Sequence, residues 1–272
     1  MQENNTLRFR GLNEETRTAG PGIRLEYFTK GCHRGITSPC EGCFNEDTWS
    51  FDGLFKAFTV DELVDNILFK ATTKNVTFCG GEPILQGKLL VEVVKKVKAI
   101  DPDFHFVLYT SYDYQQLLKN KRLSVKTNTS KHSLNTIETI REYSYNTQVV
   151  SIVSRDGKES ISYLHNILNK KDLITILDVF DLVVDGDYRH ELRLTNHETM
   201  HTGGFIGSSN QKVIYDYDAK KNELLYYPSA LYPYVEGVLE KGQLFCKYCL
   251  TATTNHVTEL CESCEKETDK HE

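Results

Sequence analysis

No apolar run in the chain approaches the roughly 18 residues that a membrane-spanning helix needs. The stretch Met1–Arg10 is polar and lacks the apolar segment of a secretory signal. Positive charge is not in excess either. The chain has 32 Lys and Arg against 38 Asp and Glu, a formal net charge of −6, whereas a general nucleic-acid binder is usually basic. No internal repeat or low-complexity tract stands out. These absences point to a cytoplasmic protein with no membrane span and no general affinity for nucleic acid. What remains is globular: 272 residues, of which 39% are apolar, suffice for one large domain, or one domain plus a small appendage. A basic run (Lys119, Lys121, Arg122, Lys126, Lys131) and an acidic stretch over 259–272 read as solvated segments.

The eight cysteines carry more information. Without an export signal, thiols or metal sites are expected rather than disulfides. Seven of the eight fall into two close-spaced groups. Cys32, Cys40 and Cys43 have the spacing C-x7-C-x2-C. Three thiolates leave one iron of a cubane cluster without a protein ligand, open to a substrate. The alternative is zinc with a water, or with His33, as fourth ligand. Cys246, Cys249, Cys261 and Cys264 form two C-x2-C pairs separated by eleven residues, the pattern of a four-thiolate knuckle. Zinc suits it best, because a closed sulfur site stabilises a segment too small for its own core. An auxiliary iron–sulfur cluster and disulfides are the alternatives. Cys79, at the end of an apolar run, reads as a small buried residue, and His190, His197 and His201 as ordinary surface or capping histidines.

Along the chain, residues 1–19 read as a polar lead-in, Ile23–Phe28 as a strand and 29–59 as a long loop. Thr59 and Glu62 have capping-box spacing before an amphipathic helix over 60–71. A strand at 75–79 ends in Gly80-Gly81, a helix spans 86–100, a strand spans 104–109, and a helix begins at Tyr112. This alternation implies an α/β fold with a parallel sheet. Residues 120–172 read as an insertion, with a strand at 149–153. There Asp156-Gly157 is a turn, and 160–169 is either a helix or the second strand of a hairpin. Apolar alternation resumes over 174–184 and closes at Asp185-Gly186, and a hairpin follows over 213–227. Gly80-Gly81-Glu82-Pro83 lies at the C-terminal end of a strand, where α/β folds bind ligands. Its glycines allow close approach, and its glutamate can accept hydrogen bonds from an ammonium group.

A three-cysteine loop after the first strand and Gly-Gly-Glu-Pro after the second resemble the radical S-adenosylmethionine enzymes. Further stretches resemble, in order, the activating enzymes of anaerobic (class III) ribonucleotide reductases. They are Gly20-Pro21-Gly22-Ile23-Arg24, Gly31-Cys32, Cys40-Glu41-Gly42-Cys43-Phe44-Asn45, Thr48-Trp49, Tyr109-Thr110-Ser111-Tyr112, Val183-Val184-Asp185-Gly186 and Gly207-Ser208-Ser209-Asn210-Gln211. Two features depart from that family. Its cluster cysteines are usually spaced C-x3-C-x2-C, and its compact members lack the insertion.

The resemblance implies a partial (β/α) barrel over residues 1–235 with the insertion at about 120–172; the C-terminal four-cysteine metal knuckle over 236–272 is read from its spacing and is not a standard part of that family. The resemblance also implies that Cys32, Cys40 and Cys43 hold a 4Fe–4S cluster whose open iron is chelated by S-adenosylmethionine. Glu82 and the Gly80-Gly81 backbone would hold the ammonium of that cosubstrate. Thr110 and Ser111 would contact its ribose or carboxylate, and Asp185 its polar atoms. Ser208, Ser209 and Asn210 would line the adenosine or the partner's edge, and Phe44 or Trp49 would cover the cluster or stack on adenine. For Thr110, Ser111 and Asp185 the competing reading is loop capping. The implied reaction is reductive cleavage to a 5′-deoxyadenosyl radical, which takes a hydrogen atom from a glycine of anaerobic ribonucleoside-triphosphate reductase. A low-potential donor such as flavodoxin or ferredoxin would supply the electron. The rival readings are a radical enzyme with a small-molecule substrate, similar to 7-carboxy-7-deazaguanine synthase, and a non-catalytic metal-binding adaptor.

Overall fold

Four short apolar strands, β2 (Arg24–Thr29), β4 (Asn75–Gly80), β5 (His105–Tyr109) and β9 (Leu182–Asp185), pair in parallel in that order. The computed structural model describes residues 6–194 and 206–226, and the backbone of three short C-terminal strands. The two faces of the parallel strands differ in chemistry, as the two-residue period of a strand allows. Leu25, Tyr27, Val76, Phe78, Phe106, Leu108 and Val183 point into one hydrophobic core. The helices α2 (Val60–Lys70), α3 (Gly87–Ile100) and α6 (Lys170–Val179) contribute Leu63, Ile67, Leu90, Val94, Leu173 and Ile176 to it. The intervening positions Glu26, Phe28, Cys79 and Tyr109 line a cavity on the opposite face.

Antiparallel strands extend both edges of this sheet. On one side lie β1 (Leu7–Thr16) and β3 (Lys56–Phe58); on the other lie β10 (Lys212–Asp218) and β11 (Glu223–Tyr226). The expected partial barrel is therefore an open, mixed eight-stranded sheet that does not close on itself. Residues 7–16 are a strand and not a polar lead-in. Leu7 and Phe9 are buried while Arg10 and Gly11 face out, and the pairing of β1 with both β2 and β3 supplies what two apolar residues alone do not. The stretch 29–59 is also less irregular than expected, since it contains α1 (His33–Thr37) as well as β3. The capping box at Thr59 and Glu62 is present: Glu62 N donates to Thr59 Oγ1 at 3.2 Å and Thr59 N to Glu62 Oε2 at 2.8 Å.

The insertion builds its own sheet. After α4 (Tyr114–Asn120) come β6 (Arg122–Asn128), α5 (Leu134–Tyr143), β7 (Asn146–Arg155) and β8 (Lys158–Asn169), with β8 in the middle. Residues 160–169 are thus a strand. Ile161, Leu164, Ile167 and Leu168 mimic helical spacing, but Asp156 and Gly157, at φ 52° and 72°, make the positive-φ pair that turns two strands into a hairpin. Residues 174–179 belong to α6 and not to the alternating run that was expected. Asn169 caps α6 by accepting from the backbone of Lys171 and Asp172. The C-terminal strands Val238–Leu239, Gln243–Phe245 and Ala252–Thr253 form a small antiparallel sheet. Cys246, Cys249, Cys261 and Cys264 lie outside the described residues, as do His197 and His201. No helix is long and apolar enough to cross a membrane among the described residues.

Candidate functional site

The C-terminal ends of β2, β4, β5 and β9 meet at one cavity of about 500 Å³. After β2 the chain turns through Gly31 into Cys32. Two backbone bonds pin it there: Gly31 N to Thr48 O and Cys32 N to Trp49 O, both 2.8 Å. Cys32 then caps α1, its Sγ accepting from Gly35 N at 3.2 Å. That short helix takes up most of the seven-residue spacing. A tight turn, in which Cys43 N donates to Cys40 O at 3.3 Å, brings the third cysteine round. Gly42 within it has φ +65°, and a Cβ there would stand 2.7 Å from His190 Nδ1, so both backbone and space require glycine.

The Gly-Gly-Glu turn is laced to the same loop. Gly81 N donates to Thr29 O at 3.0 Å and Glu82 N to Gly31 O at 2.9 Å. A Cβ on Gly81 would lie 2.5 Å from Gly31 O. This glycine pair, expected to let a ligand approach, also lets the two ligand-bearing loops touch each other.

Cys32, Cys40, Cys43, Phe44, Gly80, Gly81, Thr110 and Ser111 all line the cavity. Phe44 stands at its edge, 64% exposed, with its ring 5.0 Å from that of Tyr188 and the Arg193 guanidinium 5.4 Å above it. Trp49 lines the wall beside Gly35.

Glu82 does not line the cavity. It is 1% exposed, and its carboxylate accepts from Thr110 Oγ1 at 2.7 Å, Ser111 N at 3.0 Å and Ser111 Oγ at 2.5 Å. Burial raises its pKa, and those three donors oppose the rise. In this arrangement Glu82 fixes the end of β5 and presents Thr110 and Ser111 to the cavity.

Asp185 is likewise buried. Its Oδ2 accepts from Tyr114 N at 2.9 Å and so anchors the start of α4. Ser208 Oγ accepts from Arg189 N at 3.1 Å, Ser209 is exposed, and Asn210 Nδ2 donates to Asp187 O at 2.8 Å. None of these four lines the cavity. From that stretch Gln211 does, with its Nε2 held by Gly186 O at 3.1 Å.

Several residues were given no site role by sequence reasoning. Arg24 is fully buried at the start of β2, donating to Thr77 Oγ1, Pro21 O, Val76 O, His105 O and His105 Nδ1. Burial and the Arg24 charge push the His105 pKa well down, so His105 is the neutral acceptor. Glu26 and Cys79 face the cavity as a pair, Cys79 Sγ donating to Glu26 Oε1 at 3.0 Å. Arg34 links the cysteine loop to Asp187. The only signal for Arg34 was a charge lying between two candidate ligands.

The donor set suits an iron–sulfur cluster better than a single ion. Among the described residues no three His, Cys, Asp or Glu side chains converge on one ion position. Zinc–sulfur bonds of about 2.3 Å would demand that convergence, whereas a cubane separates its ligands further. His33 does not line the cavity; its Nε2 lies 2.7 Å from Lys126 O and its ring stacks 6.0 Å from His132. Cys79 is buried with its thiol on Glu26. Arg34 Nε is buried without a partner beside the loop. Three thiols, no fourth ligand side chain beside them among the described residues, and one orphaned donor fit a cluster with an open iron. Burial pushes the Cys32 thiol up to about 12, with the Glu82 charge adding to it. Burial also raises Cys40, with Arg34 opposing. Metal uptake here therefore displaces protons.

Residues 18–139 match the model of a family described as a 4Fe-4S single cluster domain. Over 85 residues the chain is 41% identical to a pyruvate formate-lyase-activating enzyme of Staphylococcus epidermidis, covering 29% of this chain and 32% of that protein. Over 111 residues it is 35% identical to one from Clostridium pasteurianum, covering 38% and 44%. The aligned stretch thus spans about a third to under half of the length of these curated relatives. The stretch 18–139 that matches the family model contains the cysteine loop and β2, β4 and β5.

Proposed function

We propose that this chain is a radical S-adenosylmethionine enzyme that activates a glycyl radical enzyme. The observation that carries the reading is the meeting of Cys32, Cys40 and Cys43 with Gly80, Gly81, Thr110 and Ser111 around one cavity at the strand ends. When bound there, a 4Fe–4S cluster supplies the electron that cleaves S-adenosylmethionine to the 5′-deoxyadenosyl radical. The chain's own residues bind, orient and enclose. The three thiolates hold the cluster, and the missing fourth thiolate leaves a place for the cosubstrate's amino and carboxylate groups. The Thr110 and Ser111 hydroxyls, fixed by Glu82, and the Gly80-Gly81 backbone offer polar contacts for it. Phe44, Tyr188 and Trp49 form part of the cavity wall.

The finer reading is that the glycine belongs to anaerobic ribonucleoside-triphosphate reductase, with flavodoxin or ferredoxin as donor. The ordered stretches from Gly20 to Gln211 support it. A second reading takes pyruvate formate-lyase as the partner, favoured by the names of the relatives. Zinc at the C-terminal cysteines remains part of the proposal.

The test is anaerobic. The protein is reconstituted with iron and sulfide, reduced, given S-adenosylmethionine, and assayed for 5′-deoxyadenosine beside Cys40→Ala. Product from the parent alone is expected. A loaded, reducible cluster that yields none would move the reading to the adaptor. Each candidate partner is then added in turn, and a glycyl radical signal by electron paramagnetic resonance (EPR) identifies the substrate.

A further inference from the structure

The spacing between Cys32 and Cys40 is longer than two converging thiols require, and the extra residues are ordered. They form α1, which carries Arg34 on its first turn. The Arg34 guanidinium lies near enough to Cys40 that each favours the charged form of the other. Its Nη2 also lies 2.7 Å from Asp187 Oδ2, just past the end of β9 across the site. Asp187 is itself held: Arg189 Nε lies 3.5 Å from its Oδ1, and Asn210 Nδ2 donates to its carbonyl. Arg34 Nε is buried with no partner. A cation is thus fixed beside a proposed ligand by a carboxylate on another element, with one donor still free.

We propose that Arg34 is a positioning residue that holds a fixed positive charge and N–H donors against the cluster sulfurs and raises the cluster's reduction potential. This rests on the cluster reading above. Reduction adds one negative charge to the cluster. A guanidinium, which stays protonated throughout the accessible pH range, and its N–H···S bonds favour the reduced form over the oxidised one. Asp187 orients the guanidinium and offsets part of its charge. The long cysteine spacing then has a consequence of its own, because the added helix is what supplies the residue.

The experiment compares the parent with Arg34→Gln and Arg34→Lys. Each is reconstituted, assayed for iron and sulfide per chain, and titrated with reductant under EPR, without S-adenosylmethionine. At a fixed solution potential the reduced-to-oxidised ratio of Arg34→Gln is expected to fall about tenfold, equivalent to about 59 mV for a one-electron couple. Arg34→Lys, which keeps the charge, is expected to stay closer to the parent. A fully loaded Arg34→Gln whose ratio is unchanged or raised overturns the proposal and leaves Arg34 a mere tether. If Arg34→Gln does not load, the parent decides. Grown with nitrogen-15 arginine and reduced, it should show a nitrogen hyperfine coupling to the cluster by pulsed EPR, and its absence overturns the proposal. A parent that takes up no cluster defeats the cluster reading itself, and the proposal with it.

Discussion

Asp185 gives the fold a pH dependence that can be worked from its surroundings. Its side chain is 3% exposed, and one backbone N–H, that of Tyr114, reaches it. Burial raises its pKa from 3.8 to about 6; the Tyr114 N–H opposes this, the Asp113 charge adds to it and Lys212 opposes it. Because the folded carboxyl holds its proton to higher pH than the unfolded one, its contribution is most favourable below the unfolded pKa. It is lost as pH rises through the folded value near 6. At about 1.4 kcal/mol per tenfold change in proton affinity, the loss is about 3 kcal/mol. Asp185→Asn keeps an acceptor for Tyr114 N and has no charge to desolvate. Urea unfolding of parent and variant between about pH 4 and pH 7 isolates the effect, since other titrations cancel in the difference. The variant is expected to gain about 2.5 kcal/mol on the parent across that range. A difference that stays flat with pH would show that Asp185 is solvated or paired in some other way, and the reasoning would fail.

Two further outcomes follow from the site. Glu82→Ala leaves the Thr110 and Ser111 hydroxyls and one N–H without their acceptor, and should cost about 2–4 kcal/mol in urea unfolding. A loss under about 1 kcal/mol would show that the carboxylate does not hold that strand end. In cluster-free protein in mild base, Cys32 has about a thousandfold less thiolate than an unperturbed thiol. The greater nucleophilicity of a basic thiolate recovers part of this, so iodoacetamide should label Cys32 about thirtyfold more slowly than a free thiol. Mass spectrometry of the labelled peptide checks it, and labelling at the free-thiol rate would contradict the buried placement.

The parallel strands and α2 were legible because their signals are local: apolar runs of strand length, Gly-Gly at a strand end, and a threonine three residues before a glutamate. The strand character of 7–16 was not, because it is set by pairing with β2 and β3. Residues 160–169 carried two periodicities at once, and only the turn at Asp156-Gly157 separates them. At the site, the residue types were readable and their orientation was not. Glu82 sits in a ligand-like motif yet faces Thr110 and Ser111, and Asp185 faces Tyr114. Gln211, beside three residues that were singled out, reaches the cavity where they do not. Which neighbour a buried carboxylate or amide meets depends on strands far away in sequence, so no spacing encodes it.

The placement of the inserted sheet bears on the order in which the chain can assemble. β5 and β9 are neighbours in the parallel sheet, yet Tyr109 and Leu182 are about 70 residues apart along the chain. The insertion leaves α4 at Arg122 and rejoins α6 after Asn169, and these two residues are paired across β6 and β8. If the hairpin of β7 and β8 and its partner β6 form first, the stretch that must close to align β5 with β9 shrinks to about 25 effective residues, lowering the closure entropy by about 1 kcal/mol. A segment that lengthens the sequence thereby keeps the long-range pairing of the parallel sheet within short kinetic reach.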